Sequence, residues 1–153
     1  MRLADVLVCL ACLSCQKAAD PTAAPPRRAT LKPLTATSFE LIPEPGQAPY
    51  CLAYTVSAKG VIRLLTMSAD NLSFECPAGE PIGHHPYRVP ETEPTVKVLV
   101  LFTSQQISST TVSAQLLDAN RAASLTAMDL RLPGQAALEL LDFAAAPASV
   151  QAP

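Results

Sequence analysis

The nine residues TVKVLVLFT, Thr95 to Thr103, are apolar on both faces of an extended chain. Val96, Val98, Val100 and Phe102 share one side, and Leu99 and Leu101 share the other. A strand with two apolar faces must be covered on both, so it belongs in the middle of a layered domain. Whatever surrounds it has to supply hydrogen-bonding strands at its edges and apolar layers above and below. Punctuation keeps those other elements short. Fifteen prolines stand in 153 residues, about twice the ordinary usage.

Upstream, PYCLAYTVS alternates, with Tyr50, Leu52, Tyr54 and Val56 on one face and Cys51, Ala53 and Thr55 on the other. After Ala58, Lys59 and Gly60 comes GVIRLLTM. The spacing predicts a three-residue hairpin with Gly60 in the left-handed position. Its register sets Val56 beside Ile62, Tyr54 beside Leu64 and Thr55 beside Arg63, so like meets like across the pair. SADN supplies the next turn through Asp70 and Asn71, and LSFEC a short strand with Leu72 and Phe74 on one face. PAGEPIGHHPYRVPETEP is a long Pro-rich loop with a brief extended piece at Tyr87 to Val89.

Past the central strand the period changes. Val112, Leu116, Ala119 and Leu117 form a helical stripe between Ser109 and Ala122, preceded by a Ser/Thr cluster suited to capping. AMDLRLPG alternates again, with Met128, Leu130 and Leu132 against Asp129 and Arg131. ALELLDF reads equally as strand or short helix, because the pair Leu140–Leu141 breaks the alternation. The expected architecture is mainly β with a minor α part: a small antiparallel sheet or sandwich over residues 38–143, with one short covering helix. An immunoglobulin-like sandwich without helix is the alternative.

The N-terminus reads as an address. Arg2 is followed by an apolar run from Leu7 to Leu13, about the length of a signal-peptide core and too short to span a bilayer as a helix. The run closes in CLAC and CLSC, which resemble the bacterial lipoprotein signal, whose terminal cysteine becomes a lipidated N-terminus. Cys15 is the favoured lipidation residue and Cys12 the alternative, giving a signal at 1–15. Asp5, and Cys where an aliphatic residue is usual, depart from that pattern. An ordinary cleaved secretory signal and a cytosolic apolar N-terminus are the competing readings. Residues 16–37, rich in Ala, Pro and Thr, read as a disordered tether, and residues 144–153 as a disordered tail.

The succession PYCLAYTVSAKGVIRLLTMSADN, CPAGEPI, then YRVPETEPTVKVLVLFTS resembles an uncharacterised bacterial domain. That domain occurs in envelope lipoproteins and beside serine/threonine kinase or protease modules. The resemblance spans about Tyr50 to Ala122 and implies a β-rich envelope domain without a reaction of its own.

For chemistry the candidates are few. Net charge is −2, and Lys59, Arg63, Arg88, Lys97, Arg121 and Arg131 stand singly, so nothing suggests nucleic acid. In an exported chain Cys51 and Cys76 are expected to form a disulfide. With His84 and His85 they formally make four zinc ligands, but adjacent histidines diverge and no metal or other cofactor is expected. Glu75, Glu80, Glu91 and Glu93 around the Pro-rich loop read as solvated acids rather than a hydrolytic pair. No enzyme is expected. The domain reads as a membrane-anchored envelope module that binds another envelope protein or supports a complex, with His84, His85, Tyr87 and Arg88 marking a candidate binding loop. A small-ligand or glycan-binding module is the first alternative and a hydrolase the second.

Overall fold

The computed structural model describes residues 26–93, 95–118 and 125–144. Cys12, Cys15, the signal and most of the tail lie outside them. The described chain is mainly β, with two antiparallel sheets and one α-helix. The small sheet contains β1 (Ala29–Pro33), β2 (Ser38–Pro43) and β6 (Tyr87–Arg88) in the order β1-β2-β6. The larger one follows the order β4-β3-β7-β8, built from β3 (Tyr50–Ser57), β4 (Ile62–Leu64), β7 (Thr95–Thr103) and β8 (Ala136–Ala144). A two-residue strand, β5 (Phe74–Glu75), joins the same edge of β3 as β4 does. The helix α1 runs Ser109–Asp118.

The central strand lies where its two apolar faces require. Val96, Val98, Val100 and Phe102 pack with Ala29, Phe39, Leu41 and Tyr87 of the small sheet. Leu99 and Leu101, on the opposite face, pack with Leu52, Tyr54 and Val56 under Val112 and Leu116 of the helix. β3 and β7 are each apolar front and back because each has a layer on both sides. Leu117, adjoining the helical stripe, is an exception to it and stands 67% exposed.

The first hairpin has the expected register, with Val56, Thr55 and Tyr54 opposite Ile62, Arg63 and Leu64. Gly60 adopts φ +77°, and its amide donates to the Ser57 carbonyl at 2.9 Å. β4 then stops early. The Leu65 amide donates to the Ala53 carbonyl at 2.8 Å, while the Ala53 amide donates to the Thr66 hydroxyl at 3.0 Å. A side chain thus takes the place of the next ladder carbonyl, and the chain leaves the sheet.

Three boundaries differ from the sequence reading. The tether assigned to 16–37 contains β1, whose register with β2 runs from Ala29 opposite Pro43 to Pro33 opposite Phe39. Ala29 is fully buried and Leu31 packs against the same core, so two apolar side chains suffice to fasten this strand. The tail assigned from 144 loses Ala144 to β8. The alternating stretch at 128–132 is no strand. Ala127–Asp129 form a 3-10 turn in which the Asp129 carboxylate accepts from both the Thr126 amide and hydroxyl, each at 2.7 Å. Arg131 then finds its backbone partner in Gln115 of α1, whose Oε1 accepts the Arg131 amide at 2.6 Å. Where a neighbouring strand would have stood, a glutamine side chain serves.

Two buried phenols carry a prediction. The Tyr54 hydroxyl donates to the Ser109 carbonyl at 3.1 Å, and the Tyr87 hydroxyl to the Ile82 carbonyl at 2.9 Å. Burial raises both above the ordinary tyrosine value, most strongly for Tyr87, because the phenolate would lose its hydration. The folded state therefore holds these protons after an unfolded tyrosine has released them. Their contribution to stability is complete below about pH 10 and is lost as pH rises toward the folded values. Denaturant midpoints measured from pH 8 to 11.5 should fall above pH 10, and less steeply in a Tyr54→Phe, Tyr87→Phe double variant.

Candidate functional site

The Pro-rich loop is more structured than its composition suggests. Cys76 is bonded to Cys51 across the β3–β5 pair, with Cα atoms 5.9 Å apart, so the expected disulfide is present. The Gly79 amide donates to the Pro43 carbonyl, and the Val89 amide to the Thr37 carbonyl, each at 2.9 Å, which ties the loop to the two ends of β2. A 3-10 turn at Ile82–His84 buries Ile82. Gly83 in that turn has φ +71°, and a Cβ there would lie 3.0 Å from the Tyr87 hydroxyl, so the close approach of the ring requires glycine.

The four loop residues singled out in the sequence do not converge on one surface. Tyr87 is buried in the core, its ring 6.1 Å from that of Phe39. His84, His85 and Arg88 are exposed. The His85 Nδ1–H donates to the Gly83 carbonyl at 2.6 Å, and its ring meets Tyr87 edge-on at 4.9 Å. With both sulfurs in the disulfide, Cys51 and Cys76 are unavailable as thiolate ligands. Glu93 is not free in solvent either. Its carboxylate accepts two hydrogen bonds from the Arg63 guanidinium, at 2.6 and 2.8 Å, which hold it below the usual carboxylate range.

Two other places offer surface for binding. A cavity of about 580 Å³ opens where the C-terminal half of α1 passes the end of the larger sheet. Val56, Ile62, Val96, Leu116, Leu117 and Phe143 make its wall apolar, and the Lys97–Asp142 ion pair, 2.8 Å long, contributes its polar part.

The other place is the outer edge of β8. Its inner edge pairs with β7 over all nine residues, from Ala136 opposite Thr103 to Ala144 opposite Thr95. The Ser104 amide donates to the Gln135 carbonyl at 3.0 Å, one step beyond that ladder. Antiparallel pairs alternate between hydrogen-bonded and not, so 137, 139, 141 and 143 spend their backbone groups on β7. Ala136, Leu138, Leu140, Asp142 and Ala144 aim theirs outward. Among the described residues no strand pairs with that edge.

Two hollows flank it. One of about 420 Å³ is bounded by Arg28, by 125–127 and by 136–140. The other, of about 360 Å³, is bounded by Arg27, Leu31, Pro33 and 139–142. Each touches consecutive residues of β8 and none of β7, which puts both at the outer side. Strands at sheet edges are usually guarded by Lys, Pro or a bulge. AALELLDFA has no Lys, Pro or bulge, and its guards are two acids, Glu139 on the small-sheet face and Asp142 on the other. Sequence reasoning missed this feature because ALELLDF was equally a helix, and an edge is defined by what fails to lie beside it.

No protein-family model, curated protein or solved structure matches the chain.

Proposed function

We propose that this chain is the non-catalytic binding domain of a bacterial envelope lipoprotein, held at the membrane through Cys15 (alternatively Cys12), and that it engages another protein. The observation that carries the binding part is the outward edge of β8, with five residues offering amide and carbonyl groups between two hollows. An extended segment added there gains main-chain hydrogen bonds, and the hollows receive its alternating side chains. The Cys51–Cys76 bridge supports the export part, since such bonds persist in oxidising compartments.

Labelled palmitate supplied to expressing cells should enter the chain and be lost in Cys15→Ser. Loss in Cys12→Ser instead moves the anchor by three residues, and no incorporation in the parent chain removes the anchor from the proposal. For the binding part, hydrogen exchange should show the outward amides of Leu138, Leu140 and Asp142 becoming protected when a partner binds. Protection confined to the His84–Arg88 loop would transfer the binding surface there.

The apolar cavity favours a second reading, a small apolar ligand in place of a protein. A polarity-sensitive dye should then bind saturably and be displaced by the ligand, with Val96→Trp blocking both. The glycan form of that reading is weaker, because Tyr54 and Tyr87 are buried and unavailable for stacking on sugars.

A further inference from the structure

We infer that the protein to which the β8 edge is adapted is a second copy of this chain. The two β8 strands would pair antiparallel about a two-fold axis through Leu140. This rests on the reading of that edge as a protein-binding surface and names its occupant.

The register follows from the backbone. For two copies to exchange hydrogen bonds, residues with outward groups must face each other, which restricts hydrogen-bonded partners to 136, 138, 140, 142 and 144 on both sides. Setting Leu140 opposite Leu140 brings 136 opposite 144 and 138 opposite 142, so all nine positions are paired and all five outward residues are satisfied. The charges agree with this choice. Glu139 falls opposite the second copy's Leu141, and Asp142 opposite the second copy's Leu138. Sliding by two positions one way sets Glu139 against Glu139, and sliding by four the other way sets Asp142 against Asp142. Like charges directly opposite each other destabilise a strand pair. The slide by two that avoids both clashes, centred on Leu141, leaves two residues of each strand without a described partner.

The flanking groups add complementarity. Glu139 lies opposite Val100 of β7 and so shares the face that packs on the small sheet. Among the described residues it has no ion-pair partner. Arg27, which bounds the 139–142 hollow together with Leu31 and Pro33, is on that same face. A two-fold axis perpendicular to the sheet keeps the faces in common, so the second copy's Glu139, opposite Leu141, enters the hollow bounded by Arg27 and by the chain's own Glu139. There the guanidinium lies between the two carboxylates' positions along the strand pair. The result is one continuous sheet across both copies, with no exposed β8 edge left for further addition. Such a closed, self-complementary contact is the form that two-fold dimers take.

The symmetry supplies an unusually specific test. Directly opposed hydrogen-bonded residues have Cα atoms about 5.5 Å apart, within the range a disulfide spans. In the full chain, Leu140→Cys should therefore give a covalent dimer on mild oxidation, well above the background of the parent chain. Leu138→Cys should not, since its counterpart in the second copy is four residues away along the strand. As a second measurement, light scattering should give twice the chain mass for the parent. Leu140→Pro should return it to one chain mass while its circular dichroism stays that of the parent, because the amide it deletes points away from β7. A parent chain that stays at one chain mass, or equal cross-linking through 138 and 140, overturns the self-pairing. If the monomeric parent still protects its Leu138, Leu140 and Asp142 amides on binding a different protein, the self-pairing fails while the broader protein-binding reading stands.

Discussion

Reducing the Cys51–Cys76 bridge should lower the melting temperature of the domain by about 14 °C. The bridge closes a loop with a sequence separation of 25. On the chain-entropy model a loop of that length, left open, frees the unfolded chain by about 3.5 kcal/mol. Spread over the unfolding entropy of a domain of roughly 120 residues, that gives the temperature shift stated. The native cost should be small, because β5 is held at β3 by its own backbone pairing of Tyr50 with Glu75 and Cys51 with Phe74. Calorimetry with and without reductant measures the shift, and mass spectrometry under non-reducing conditions establishes the bond. A Cys51→Ala, Cys76→Ala double variant that melts with the oxidised parent would show that the bridge does not limit stability.

Phe39→Ala should cost about as much or more, on the order of 3–5 kcal/mol. Phe39 is fully buried, with its ring 4.8 Å from Phe143 of β8 and 6.1 Å from Tyr87 of β6. It joins the small sheet to the large one and lies opposite Tyr87 in the short, two-residue β6. The hole left by the ring cannot be filled from β2, whose neighbouring inward residue Leu41 is already buried. Against a total stability of roughly 5–15 kcal/mol, such a loss leaves the domain near its unfolding limit at ordinary temperature. Urea titration gives the value directly. Phe39→Leu, which keeps most of the volume, should recover more than half of it. If Phe39→Ala unfolds with the parent midpoint, the small sheet is not part of the cooperative core.

Several elements were legible in the residues because their signals are local. The β3–β4 hairpin needed only a period of two on either side of a glycine-containing loop, and its register followed from matching apolar to apolar. The covered position of β7 was written in its two apolar faces. The turn at Ser68–Asn71 was carried by Asp70, whose carboxylate accepts the Leu72 amide at 3.2 Å, and by Asn71 with φ +58°. The pairing of Cys51 with Cys76 followed from their being the two thiols outside the expected signal at 1–15.

Other elements depended on partners far away in the chain. β1 has two core residues beside Thr, Lys and Pro and follows Arg27 and Arg28, so its composition reads as a tether. It is a strand because Leu41, ten residues on, lies opposite Leu31. Leu140 and Leu141 looked inconsistent with a strand only while one covered face was assumed. In the folded chain Leu140 packs toward the helix and Leu141 toward the small sheet, so both belong. The alternation at 128–132 was a true strand pattern without a strand to pair with, and Gln115 took its backbone bond instead. Of the four loop residues only Tyr87 departs from its expected place: a tyrosine beside exposed histidines says nothing of which way its ring turns, and this one lies in the core with its hydroxyl on the Ile82 carbonyl, while His84, His85 and Arg88 stay exposed. Periodicity and turn chemistry act over a few residues and were settled by the sequence alone. Which edges are covered, which layers meet and which strand is left open depend on contacts between distant segments, and only the tertiary structure decided them.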